Sequence, residues 1–156
     1  MKHNYIMKIF LISPVIIAVL FLTAGGINYR IDKQRLTPRA DALEASPETK
    51  AIGKIFERKC LDCHSSRGQT PFYASFPLIK RLISKDIQEG LEEFNFDTEF
   101  FNKQDGDYAF KTLHHLEEVI EENEMPPAAY RWLHWTTRVS ENERALILNW
   151  LSRQQQ

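Results

Sequence analysis

Cys60 and Cys63 are the only cysteines in the chain, and His64 follows directly, giving the pentapeptide Cys60-Leu61-Asp62-Cys63-His64. Two thiols on one turn can each add across a vinyl group of the same porphyrin. An imidazole beside the second thiol then falls under the ring, where it ligates the iron from the proximal side. C-x-x-C-H is therefore the attachment pattern of a covalent, c-type haem, with Cys60 and Cys63 as thioether anchors and His64 as the first axial ligand. Other uses of paired cysteines fit less well. A thioredoxin-type pair sits in a strand–helix context, whereas here a helical pattern precedes Cys60 and a polar run, Ser65 to Gln69, follows. A structural zinc ion needs four ligands, and there is no second cysteine pair. A disulfide across two intervening residues would be strained and would close almost no loop.

The second axial position decides between electron transfer and ligand binding. Met125 is the favoured distal ligand, because Pro126 and Pro127 behind it fix φ and extend the backbone that presents the thioether. Met1 and Met7 lie in the N-terminal membrane segment, so Met125 is the thioether available to the domain. His114, His115 and His134 are the nitrogen rivals, each better suited to packing or to holding a propionate. A carbonyl near Pro71 or Pro77 is expected to accept the His64 Nδ1–H and fix the ring.

The elements that must position these residues read as helices. Ser46 and Pro47 start one, with Ile52, Ile55 and Phe56 on a face leading into Cys60. Leu78, Leu82, Ile87, Leu91 and Phe94 give a second. Phe110, Leu113, Leu116 and Ile120 give a third, ending before Pro126. Ser140 and Glu143 form a capping box for the fourth, which carries Leu146, Ile147, Trp150 and Leu151. No stretch alternates as a strand does. The expected fold is all-α: a small cytochrome c-like domain of about four helices, with long loops (Asn95 to Gly106, Pro126 to Arg138) wrapped around one haem.

Ahead of this domain, Lys2 and Lys8 flank a start that runs into the apolar segment Ile9 to Ile27. Nineteen such residues can just span a bilayer core of about 30 Å. Its length favours an uncleaved anchor over a cleaved signal peptide, for which Thr23-Ala24-Gly25 is a weak cleavage site. Either way the basic N-terminal flank places the remainder on the periplasmic side of a bacterial inner membrane, the side on which thioethers are made. The expected divisions are 1–29 for the membrane segment, 30–46 for a flexible linker and 47–156 for the haem domain. The domain carries 18 Asp and Glu against 14 Lys and Arg, which excludes a nucleic-acid footprint. Glu117, Glu118, Glu121, Glu122 and Glu124 form a solvated helix face that can also steer a basic partner.

The ordered set of motifs resembles the bacterial haem-binding domain family with a single C-x-x-C-H, found in exported proteins. The resemblance runs from Ile52 to Leu151 through Cys60–Ser65, Pro71-Phe72-Tyr73-Ala74 with Pro77, Asp86–Gly90, Phe94-Asn95-Phe96, Met125-Pro126-Pro127 with Tyr130 and His134, and the closing helix. It implies a small helical mono-haem domain with Met125 as the distal ligand. Phe72 departs from a frequent Trp, and Phe96 to Phe101 stand where a Trp often follows Asn-Phe; both keep an aromatic.

The expected function is one-electron transfer through a His64/Met125 haem c, without enzymatic activity. The partner would be a redox protein that is basic or membrane-bound, and pairing with itself or a related cytochrome stays open. The first alternative is binding or sensing of a diatomic gas, CO or NO, at an open or labile distal site. A peroxidase ranks last, since it calls for a distal acid–base residue and a second haem.

Overall fold

The computed structural model describes residues 2–34, 43–104 and 107–155, with side chains of the first segment described from 14 to 31. The element order is α1 (Lys2–Gln34), α2 (Pro47–Lys59), α3 (Leu61–His64), a 3₁₀ turn (Phe72–Ser75), α4 (Pro77–Glu93), α5 (Phe96–Glu99), α6 (Phe110–Glu122), α7 (Ala128–Leu133) and α8 (Glu141–Gln154). There is no strand among the described residues, so the all-α fold holds. The four long helices expected in the domain are α2, α4, α6 and α8. Both long loops are more structured than expected, one containing α5 and the other α7. Periodicity cannot reveal elements this short, because α5 and α7 offer too few turns to repeat a pattern.

Local chemistry starts and stops the helices as the sequence suggests. The Ser46 hydroxyl accepts from Thr49 N at 3.2 Å with Pro47 at the first turn of α2. At α8, Ser140 N donates to Glu143 Oε2 at 2.8 Å, and Glu143 N returns a bond to the Ser140 hydroxyl at 3.4 Å. Asn123 closes α6 with φ 57°, a left-handed conformation that Asn tolerates better than most residues.

The core is an aromatic cluster between α2, α5, α6 and α8. Phe56 packs on Phe96 at 4.8 Å and on Phe100 at 5.1 Å, while Phe100 and Tyr108 meet the Trp150 indole at 5.8 and 5.2 Å. Ile52, Leu113, Ile147 and Leu151 fill the space around them. The buried Trp150 Nε1–H donates to Thr49 Oγ1 at 2.9 Å, satisfying the one polar group such a ring brings inside. Leu43 also belongs to this core, and α1 continues to Gln34. Of the segment expected as linker, 30–34 is thus helical and 43–46 packs on the domain, while 35–42 lies outside the described residues.

Lys59, the residue before Cys60, is nearly buried. Its ammonium donates to the carbonyls of Thr136 at 3.1 Å and Arg138 at 2.6 Å, and pairs with Glu143 at 3.2 Å. Burial raises the Glu143 pKa. The Ser140 N–H and hydroxyl and the Lys59 ammonium outweigh it, so the net shift is below the usual carboxylate value. A carboxylate depressed by folding stabilises the native state above its unfolded pKa, about 4.3, and loses that contribution as pH falls through the lower folded value. Glu143→Gln should therefore flatten the fall of the melting temperature between neutral pH and pH 3, measured by circular dichroism.

Candidate haem site

Cys60 is both the C-cap of α2 and the N-cap of α3, so the C-x-x-C-H motif forms a single turn at a helix junction. His64 N bonds to Cys60 O at 3.1 Å, and both thiols are free of any disulfide. Burial pushes the Cys60 thiol up to about 12 against the opposing Lys59 charge. Burial, then the Asp62 and Asp86 carboxylates, push Cys63 up to about 11. A redox or nucleophilic C-x-x-C needs the opposite, a thiol held well below its ordinary value. The local environment thus disfavours the thioredoxin-like alternative.

His64 Nδ1 lies 3.0 Å from the Phe94 carbonyl oxygen. A carbonyl only accepts, so Nδ1 carries the proton and the Nε2 lone pair is left for a metal. The expected acceptor near Pro71 or Pro77 is therefore corrected to Phe94. The reason lies in helix ends. Phe94 is the C-cap of α4, with extended φ −155° and ψ 119°, and the last carbonyls of a helix lack intrahelical partners. Phe96 adds an edge-on contact to the imidazole at 6.1 Å.

Asp97, two residues into α5, holds the other side of the motif. Its carboxylate accepts from the Ser65 hydroxyl at 2.9 Å, the Ser66 hydroxyl at 2.7 Å and the Ser66 amide at 2.9 Å. Sequence reasoning missed this clamp, although Asn95-Phe96-Asp97 carries a signal for it: the Asn95 side chain caps α5 by accepting from Asp97 N. Tyr130 and His134 form a second brace. The Tyr130 hydroxyl donates to Asp62, inside the motif, and its ring stacks on His134 at 4.0 Å. His134 is 1% exposed, and its Nε2 is engaged by the Tyr73 hydroxyl at 2.6 Å. His114 is an exposed residue of α6, and His115 faces the Glu93 carboxylate at 3.4 Å.

Helix α4 crosses directly over the motif. A Cβ built on Gly90 would meet the Cys63 carbonyl oxygen at 2.9 Å, so only glycine permits this approach. Gly90→Ala gains up to about 1 kcal/mol of helix propensity but forces α4 off the motif at about 1–3 kcal/mol. The expected net effect is a loss of up to about 2 kcal/mol in denaturant unfolding, with weaker haem retention.

The residues present fit a haem. None of the 17 residues of α4 is buried, although its sequence is amphipathic, and Leu78 is 77% exposed beside exposed Phe76 and Leu82. Two thiols, an imidazole with its Nε2 directed away from the protein carbonyl, and the uncovered apolar side chains of this helix together match a flat, apolar, iron-bearing ligand. Met125 lies in the loop between α6 and α7 and is 38% exposed, while Pro126 behind it is buried.

Cytochrome c peroxidase Ccp of Escherichia coli (strain K12) is 32% identical to this chain over 141 residues, which cover 88% of this chain and 30% of that protein. That relative is named as an enzyme, and this corrects the expectation of a function outside enzymology. The expectation leaned on a single C-x-x-C-H, and a chain matching 30% of a larger protein cannot be judged by counting its motifs. No solved structure matches the chain. The model of the haem-binding domain matches residues 19–153, with the C-x-x-C-H turn, its bracing segments and α4 all inside the match. The chain belongs to the haem-binding domain family.

Proposed function

We propose that the chain is a one-electron redox module working in peroxide reduction, with haem c bound through Cys60 and Cys63 and ligated by His64 and Met125. The observation that carries this reading is the His64 Nδ1–H bond to the Phe94 carbonyl, which fixes the tautomer and aims Nε2 as a proximal ligand requires. Haem bound there supplies an Fe(III)/Fe(II) couple, whose potential a thioether ligand raises. The chain's own residues do the rest. Asp97, Tyr130 and Gly90 hold the motif rigid, and Pro126 and Pro127 stiffen the loop that presents Met125. The peroxidase context comes from the Escherichia coli relative. Reduction of one peroxide consumes two electrons and two protons, so a single-haem module would deliver two electrons in succession. Helix α1 has an 18-residue stretch, Pro14–Ile31, of mean hydropathy 1.6, long and apolar enough to cross a membrane. On our reading it anchors the module at the inner membrane, with the haem domain in the periplasm.

The test is to mix the ferrous full chain with hydrogen peroxide and a cytochrome c peroxidase, with and without CO. We expect reoxidation of two haems per peroxide consumed, and no spectral change with CO. Rapid CO binding to the ferrous form without peroxide-linked reoxidation would overturn the reading and favour gas binding.

A further inference from the structure

We propose that the surface formed by Trp132 of α7 and by Trp135, just beyond the end of α7, lies in the headgroup layer of the membrane, so that the haem domain is docked on the bilayer. This rests on reading α1 as a membrane span. The docking follows from where α7 touches it. Gly25 lies inside the apolar stretch Pro14–Ile31 and is buried. A Cβ built on it would collide with the Trp135 indole, meeting Cε2 at 2.9 Å and Cη2 at 3.1 Å. Asn28, on the next turn, is also covered, at 1% exposure. The family match begins at residue 19, inside α1, so the second half of this helix belongs to the same matched unit as the haem motif.

Depth follows from helical rise. Six residues separate Gly25 from Ile31, or about 9 Å at 1.5 Å per residue. An 18-residue stretch is about 27 Å long, close to the thickness of a hydrocarbon core. A helix packed against Gly25 therefore cannot stand clear of the lipid. Its contact lies about 9 Å inside the end of the stretch, within the roughly 5–10 Å to which interfacial apolar faces sink, and indoles are enriched in that zone because their bodies are apolar and their N–H groups are polar. Trp132 is 66% and Trp135 45% exposed. The Trp135 Nε1–H is already satisfied by the Trp132 carbonyl at 2.8 Å, which lowers the cost of moving that ring out of water. The occupant of this face is thus lipid, and α7 fixes the height of the C-x-x-C-H motif above the membrane through the Tyr130–Asp62 bond.

Spin labels on Trp132→Cys, Lys103→Cys and Val19→Cys variants of the haem-loaded full chain, in phosphatidylcholine vesicles, report depth through collisions with oxygen and with a water-soluble nickel chelate. The chain without an added cysteine serves as the blank. We expect an oxygen-to-nickel ratio several-fold higher at 132 than at 103, and highest at 19. Adding Gly25→Leu should return the label at 132 to the value at 103 without moving that at 19. If Gly25→Leu loses haem, the comparison of 132 with 103 in the parent background decides alone. Equal ratios at 132 and 103 with 19 in lipid overturn docking and leave the anchor standing. A water-like label at 19 removes the anchor and docking together.

Discussion

Replacing Cys60 and Cys63 together by alanine should leave a protein whose haem is removed by acidified acetone and whose helices are only partly formed. The expected size follows from α4. No residue of that helix is buried, so the protein by itself gives Leu78, Leu82 and their neighbours little to pack on. Fully burying one such side chain stabilises by about 1.5–3 kcal/mol. A few of them are a large share of a total stability of about 5–15 kcal/mol. Denaturant unfolding followed at 222 nm should therefore show a loss of several kcal/mol, confined mainly to the α3–α4 side. The aromatic cluster around Phe56, Phe100 and Trp150 should hold its signal longer. A double variant that folds as well as the parent without haem would refute this division of labour.

Met125→Ala is expected to act on the iron and hardly on the fold. Met125 is 38% exposed, so its truncation forms no sizeable cavity and should cost less than about 1 kcal/mol. With the thioether gone, the ferric spectrum should lose its near-infrared charge-transfer band, the ferrous form should bind CO rapidly, and the reduction potential should fall. His134 cannot step in without dismantling its surroundings, since Tyr73 engages Nε2 and Tyr130 covers the ring face. An unchanged low-spin spectrum in the variant would mean that another group holds the sixth position. His114, exposed on α6, would then be the next residue to replace.

What the sequence made legible was whatever depends on local pattern. The capping serines, the proline starts and the 3.6-residue spacing placed α2, α4, α6 and α8, and the pentapeptide announced its own cofactor. What stayed hidden depends on tertiary approach. The partner of His64 is a main-chain carbonyl at the end of a helix 30 residues away, and any residue type supplies a carbonyl. The Ser65–Asp97 and Asp62–Tyr130 bonds join positions 32 and 68 residues apart, and no periodicity spans such distances. The expectation of no enzymatic activity failed for a different reason. A single motif was treated as the whole redox inventory, whereas the relative, which is named as an enzyme, is matched over only 30% of its own length.

The pairing of residues 64–66 with 94–97 has a practical side. The Phe94 carbonyl holds the His64 ring, and the Asp97 carboxylate holds Ser65 and Ser66. If the proposed attachment holds, anyone grafting it onto another helical scaffold would have to move two segments in fixed relation, the pentapeptide and its backboard. The pentapeptide alone would carry the anchors and leave the ligand unaimed. The transplantable unit is a pair of strips from different parts of the chain, and its minimum size is set by that geometry.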